Sequence, residues 1–211
     1  MENNVKVVNN PVLHRVALAG LALSGLLSLA ACVGGGNKVA PTQLDLGTSL
    51  PAVSAGLATN PPLAIPAAAS ASLLSETMVI WRVGNQGQPQ AYATYQWVAA
   101  PARLVTQKLV DRLSLQGAVL QQNIGGELPQ LRMNLQRFEQ TFSEQGDSSQ
   151  AQLTLQVVLI QGSKVLDQLL VDLQVPATTL DAQGGALALR QATDQASEQV
   201  AQWVTRVLNK R

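Results

Sequence analysis

The stretch from Leu131 to Val175 alternates apolar and polar residues almost without a break, and that pattern admits few folds. Leu131, Met133 and Leu135 alternate with Arg132, Asn134 and Gln136. In an extended strand successive side chains point to opposite faces, so one face is apolar and the other polar. Phe138 and Phe142 fall out of step with Leu135, which predicts a bulge near Gln136-Arg137 that returns the buried face to one side. Gly146 to Ser149 supply a turn. Leu153, Leu155, Val157 and Leu159 then alternate with Gln152, Thr154 and Gln156. After Gly162-Ser163, Val165, Asp167, Leu169, Val171, Leu173 and Val175 are expected on one face of a third strand. Three consecutive strands of this kind predict an antiparallel meander with one face to cover.

Two amphipathic segments are available to cover it. Leu104, Val105, Lys108, Leu109, Arg112 and Leu113 recur at helical spacing, predicting a helix over 100–115 that ends near Gly117, its basic residues facing water or the edge of the stripe. Leu189, Ala192, Ala196, Val200, Trp203, Val204 and Val207 predict a second helix over 182–208, capped by Asp181, with Gly184-Gly185 weakening its first turn. Upstream, Met78–Val83 and Ala91–Trp97 flank an Asn85–Pro89 turn and read as a hairpin. The fold class is therefore α+β, a mainly antiparallel sheet with two helices packed on one face. Between residues 47 and 75 the chain is rich in Ala, Pro and Ser and should be mostly extended or irregular, with Leu63-Ala64-Ile65 as a strand fragment. Thr42 to Leu46 reads as a short strand by alternation.

The N-terminal part carries an address. Lys6 and Arg15 precede a charge-free run from Val16 to Ala31 that is shorter than the roughly 20 apolar residues of a membrane span. Leu29-Ala30-Ala31 then lead into Cys32, the sole cysteine. This arrangement resembles a bacterial lipoprotein signal; the alternative is an ordinary signal peptide, or an uncleaved anchor, with an incidental cysteine. The resemblance implies removal of residues 1–31, a diacylglyceryl thioether and an N-acyl chain on Cys32, and, with Val33 rather than Asp next, the outer membrane facing the periplasm. Several acyl chains together make a lasting tether where one is marginal. The expected organisation is a signal peptide at 1–31, a lipidated Gly/Ala/Pro-rich tether with short strands at 32–75, and a domain at 76–211.

Loss of residues 1–31 removes Lys6 and Arg15 from 14 basic residues and Glu2 from 13 acidic ones, leaving 12 of each. With no basic field for phosphates, nucleic acid is not an expected partner. The sole histidine, His14, goes as well, which takes away His/Cys metal sites and His-based nucleophile systems. The densest carboxylates, Glu139, Glu144 and Asp147, read as a solvated strand end, and Asp167 and Asp172 fall on opposite faces of a strand. These features argue against an enzyme and against a catalytic, cofactor or metal site; the one covalent group expected is the lipid on Cys32.

Four of the few aromatic residues, Trp81, Tyr92, Tyr95 and Trp97, fall in the hairpin, making it the candidate partner surface. Packing in the sheet is the plainer explanation. Phe138, Phe142 and Trp203 read as core.

The order Arg82, Tyr92, Tyr95, Trp97, Pro101 and an amphipathic helix, then Phe138-Glu139-Gln140-Thr141-Phe142 and an Ala-rich closing helix, resembles the periplasmic domain of ABC-type transport auxiliary lipoproteins. The paraquat-inducible protein C lipoproteins are similar in plan. The resemblance covers about residues 76–208 and departs in front, where Thr42-Gln43-Leu44-Asp45-Leu46 stands in place of the family's Tyr-x-Leu strand. It implies a lipid-anchored, non-enzymatic docking or conduit subunit beside an MCE-domain, Mla-like ABC system that moves phospholipid or other hydrophobic molecules. It also implies an MCE-domain partner and self-association into a ring. A structural or assembly lipoprotein of another envelope or secretion complex is the alternative.

Overall fold

A computed structural model describes residues 40–48, 59–121 and 127–210. In chain order the elements are β1 (Thr42–Leu44), β2 (Leu63–Ala64), β3 (Ala69–Ser70), a 3-10 turn (Ser72–Leu74), β4 (Met78–Val83) and β5 (Gln90–Trp97). There follow α1 (Pro101–Ser114), β6 (Val119–Leu120), β7 (Gln130–Phe142), β8 (Ser149–Gln161), β9 (Lys164–Pro176) and α2 (Ala182–Leu208).

The meander forms as the alternation requires. β7 and β8 pair antiparallel from Gln130↔Ile160 to Phe142↔Ser149, with a register shift between Leu135 and Arg137. Gln136 is the extra residue, so Leu131, Met133, Leu135 and Phe138 all reach the same core. β8 and β9 pair antiparallel as well, with a second shift: Leu159 faces Asp167 whereas Ile160 faces Val165. Leu166 is therefore extra, and Val165 turns outward at 60% exposure rather than joining Leu169, Val171, Leu173 and Val175. The bulge lies beside a tight turn at Gly162, whose φ of +58° suits glycine.

The sheet is α+β in class, but it is mixed rather than antiparallel throughout. β4 is antiparallel to β5 yet parallel to β7, and β1 is parallel to β5. One edge of the long β7 is shared along its length by β2 at Gln130, β3 at Asn134 and Leu135, and β4 from Gln140 to Phe142. The segment expected as a tether thus supplies three strands, and residues from Ala40 onward form one compact unit. Leu63 and Ile65 are buried because the chain there lies extended between β6 and β7, and Leu46 is buried just beyond β1, which pairs with β5.

Both helices join the apolar face of the sheet in a single core. Val105, Leu109 and Leu113 of α1 meet Leu189, Ala192, Ala196, Val200 and Val204 of α2 over Leu153, Leu155, Val157 and Leu159. Fully burying a Leu or Val contributes about 1.5–3 kcal/mol, so this layer dominates the folding energy. Lys108 and Arg112 depart from expectation, since both are buried. Lys108 Nζ lies 2.9 Å from Asp194 Oδ1 and Arg112 Nε lies 2.7 Å from Glu198 Oε2. The two cations sit one turn apart on α1 and the two carboxylates one turn apart on α2, so the helices clasp along matching ridges. Arg112 holds the Glu198 carboxyl below its usual range.

Asp181 caps α2 as expected, accepting from the Gly184 N–H at 2.7 Å. Asp167, the one carboxylate on the apolar face of β9, accepts from Trp203 Nε1 at 2.9 Å, which satisfies both groups at the helix–sheet boundary. Among the described residues no helix is long and apolar enough to cross a membrane.

Candidate functional site

The hairpin aromatics divide into two groups. On β5, residues 92–95 stand opposite Val79 alone, between the pairs Met78↔Gln96 and Ile80↔Ala91. This wide irregularity lets Tyr92 and Tyr95, three apart, turn toward each other, with ring centroids 6.1 Å apart and near-perpendicular planes. Trp81 stands 6.0 Å from Tyr92 and 5.8 Å from Phe142, the latter edge to face at 85°. Tyr95, Tyr92, Trp81 and Phe142 thus form a connected, half-buried chain of rings. Trp97 is elsewhere: at 1% exposure it packs 5.5 Å from Phe138 in the core. It therefore offers no surface to a partner, and the candidate site reduces to Trp81, Tyr92 and Tyr95. Phe142, expected in the core, belongs with them instead.

A groove of about 370 Å³ opens beside these rings, lined by Trp81, Val83, Tyr92, Phe142 and Leu180 and closed by the 143–146 turn. Val83 and Leu180 form its rim at 43% and 49% exposure. The phenol of Tyr92 is committed to the protein, donating to Gln140 Oε1 at 2.8 Å, while Gln140 Nε2 donates to Ser149 Oγ at 2.8 Å. Burial, with the Asp181 charge and Tyr95 nearby, pushes the Tyr92 pKa up to about 12. Gln140 in turn fits against Gly185, where any Cβ would collide with its Oε1. The glycine that weakens the first turn of α2 is thus what lets the helix approach the sheet. With the Tyr92 hydroxyl used internally, the groove presents mainly ring faces and methyl groups, with Ser143, Glu144 and Gln145 along the turn that closes it, and its chemistry suits an apolar group.

Of the groove residues the sequence pointed to Trp81 and Tyr92, but not to Val83, Phe142 or Leu180. Phe142 and Leu180 lie far from the hairpin in sequence, and their exposure depends on α2 beginning at Ala182.

The opposite face of the sheet corrects the reading of the carboxylates. Glu139 is buried at 3% exposure between Arg82, at 2.7 Å from its Oε2, and Arg137, at 2.8 Å from its Oε1. The neighbouring β4 brings Arg82, and β7 itself supplies Arg137 two residues away, so Glu139 is a structural ion pair and not a solvated strand end. Asp147 does lie in an exposed turn, where the Ser143 and Ser148 hydroxyls hold its carboxyl below the usual range. Asp172 accepts from Thr154 Oγ1 at 2.8 Å, away from Asp167. Among the described residues no three His, Cys, Asp or Glu side chains gather where an ion would be held. Cys32 and the 1–31 segment lie outside the described residues.

No family model matches the chain, and no curated protein does. Solved structures do resemble it. The crystal structure of a Xanthomonas campestris protein of the family described as DUF330 superposes with a TM-score of 0.72 at 18% identity, covering 80% of this chain and 97% of that one. A second crystal structure, of a protein described as uncharacterized, has a TM-score of 0.63 at 15% identity, covering 79% and 99%. At these identities the likeness is one of fold: this chain is similar in fold to the DUF330 structure.

Proposed function

We propose that the chain is a lipid-anchored envelope protein, tethered through Cys32 after removal of residues 1–31 to the outer membrane and facing the periplasm. In this reading its folded part serves as a non-enzymatic docking or conduit subunit. It works beside an MCE-domain protein of a Mla-like ABC system that moves phospholipid or other hydrophobic molecules. The observation that carries it is the aromatic groove: a mainly apolar, half-exposed site whose one phenol is already bonded internally, open to an apolar side chain or acyl group. The position of Cys32 after Leu29-Ala30-Ala31 supports the anchor.

Photocrosslinking residues introduced at Val83 and Leu180, in intact envelopes, test the reading. Adducts to an MCE-domain protein are the expected result, and lipid adducts would assign the groove to the conduit itself. Adducts to an unrelated envelope machine would favour the assembly-lipoprotein alternative. No adduct from either rim position, with adducts from a position on another face, would sink the docking role. Cys32→Ser should in parallel release the protein from the membrane fraction; retention would overturn the lipid anchor.

A further inference from the structure

The far edge of the sheet carries a second surface, independent of the groove. β9 pairs with β8 and, among the described residues, with no other strand. Its side chains show the difference. The inward residues Leu153, Leu155, Val157 and Leu159 of β8 are wholly buried, whereas on β9 only Val171 and Val175 are buried, Leu169 and Leu173 are half-buried, and Leu170 is 59% exposed on the other face. A long strand edge of this kind is a template for another chain unless charge, proline or a bulge blunts it. Here the bulge at Leu166 and Pro176 close the two ends, and Asp167 Oδ1 accepts from the Gln168 N–H at 2.9 Å.

Between those stops runs Gln168-Leu169-Leu170-Val171-Asp172-Leu173-Gln174, which reads the same from either end except at 170 and 172. In an antiparallel ladder directly opposite residues share a face. A two-fold axis at Val171 therefore sets Leu169 against the partner's Leu173, Val171 against the partner's Val171, and Gln168 against the partner's Gln174. Leu170 meets the partner's Asp172, and no like charges stand opposite. The same amide pairing already exists within one chain, where Gln150 Nε2 donates to Gln174 Oε1 at 3.2 Å and leaves the Gln174 amide N–H groups to donate elsewhere. Asp172 is satisfied by Thr154 and need not lose its partner.

We propose that this edge pairs with β9 of a second copy of the chain, antiparallel and centred on Val171, making one sheet continuous across a two-fold dimer. The pairing uses the same edge in both copies, so it closes at two. It does not depend on the proposed transport role, and a larger ring would need a different surface.

Two sets of variants of the full chain test it. Leu170→Asp places an acid opposite the partner's Asp172 twice per dimer and should raise the dimer dissociation constant roughly tenfold. Leu170→Lys, at the same exposed position, should leave the dimer intact or tighten it. Gln168 and Gln174 lie about 20 Å apart along one strand, too far for a disulfide within a chain. In a Cys32→Ser background the combined variant Gln168→Cys/Gln174→Cys should therefore form covalent dimers on a non-reducing gel, while the background and each single variant do not. A chain that stays monomeric in light scattering at high concentration would overturn the proposal. So would equal behaviour of the two Leu170 variants, crosslinking by the single variants, or failure of the double variant to crosslink.

Discussion

Strands β5 and β7 each place one aromatic residue in the core and another at the surface. Trp97 and Phe138 meet at 5.5 Å inside the core shared with the helices. Tyr92 and Phe142, a few residues along the same strands, flank Trp81 at 6.0 and 5.8 Å and stay half-exposed. Residue type does not separate the two groups, and neither does strand. The helical layer does: α2 begins at Ala182, and in front of it Leu180 is left on the rim of an open groove. A sheet only partly covered by its helices turns the same aromatic pattern into core at one end and surface at the other.

The contrast can be broken by substitution. Trp97→Ala should be the most damaging change, costing about 3–5 kcal/mol because the cavity opens in a fully packed site. Chemical denaturation measures it, and a loss no greater than that of Trp81→Ala would erase the distinction between the two groups. Gly185→Ala should cost about 1–3 kcal/mol although alanine favours helix, since the new Cβ meets Gln140 where helix and sheet touch. A stabilised variant would mean the close approach is relaxed in solution. Trp81→Ala should cost about 1–2 kcal/mol, the loss of ring contacts that are partly open to water. Its larger effect should be on partner adducts at the groove.

The smallest effect sharpens the chemistry of the boundary. Tyr92→Phe removes one hydrogen bond and should cost about 1 kcal/mol. The Tyr92 pKa is raised in the folded state, from 10.0 to about 12, so the stability it contributes is fully present below pH 10 and is lost as pH rises toward 12. The gap between parent and variant should therefore close over that window in pH-dependent denaturation. A gap that widened there would contradict the neutral, donating phenol.

Much of the fold was legible because its signals are local. The alternation in β7 and β8, the bulge at Gln136, the hairpin and the spans of both helices follow from periodicity and turn residues alone. Where the reading failed, the deciding contact was distant. Lys108 and Arg112 look like solvated residues until α2 brings Asp194 and Glu198 to them. Glu139 looks exposed until β4 delivers Arg82. β3 has no strand signature of its own and exists because β7 offers it an unpaired edge. Val165 was misplaced because the pairing with β8, not the pattern of β9, created the second bulge.

By itself the sequence determined the long strands and both helices, the α+β class, and the expectation of an anchor at Cys32, since periodicity and short motifs are properties of neighbouring residues. Tertiary structure alone decided that the sheet is mixed, that Trp97 is core while Trp81 and Tyr92 border a groove, and that Glu139 is an ion pair. Those outcomes depend on which distant segment arrives to cover a face, fill an edge or neutralise a charge, and no local pattern encodes the meeting.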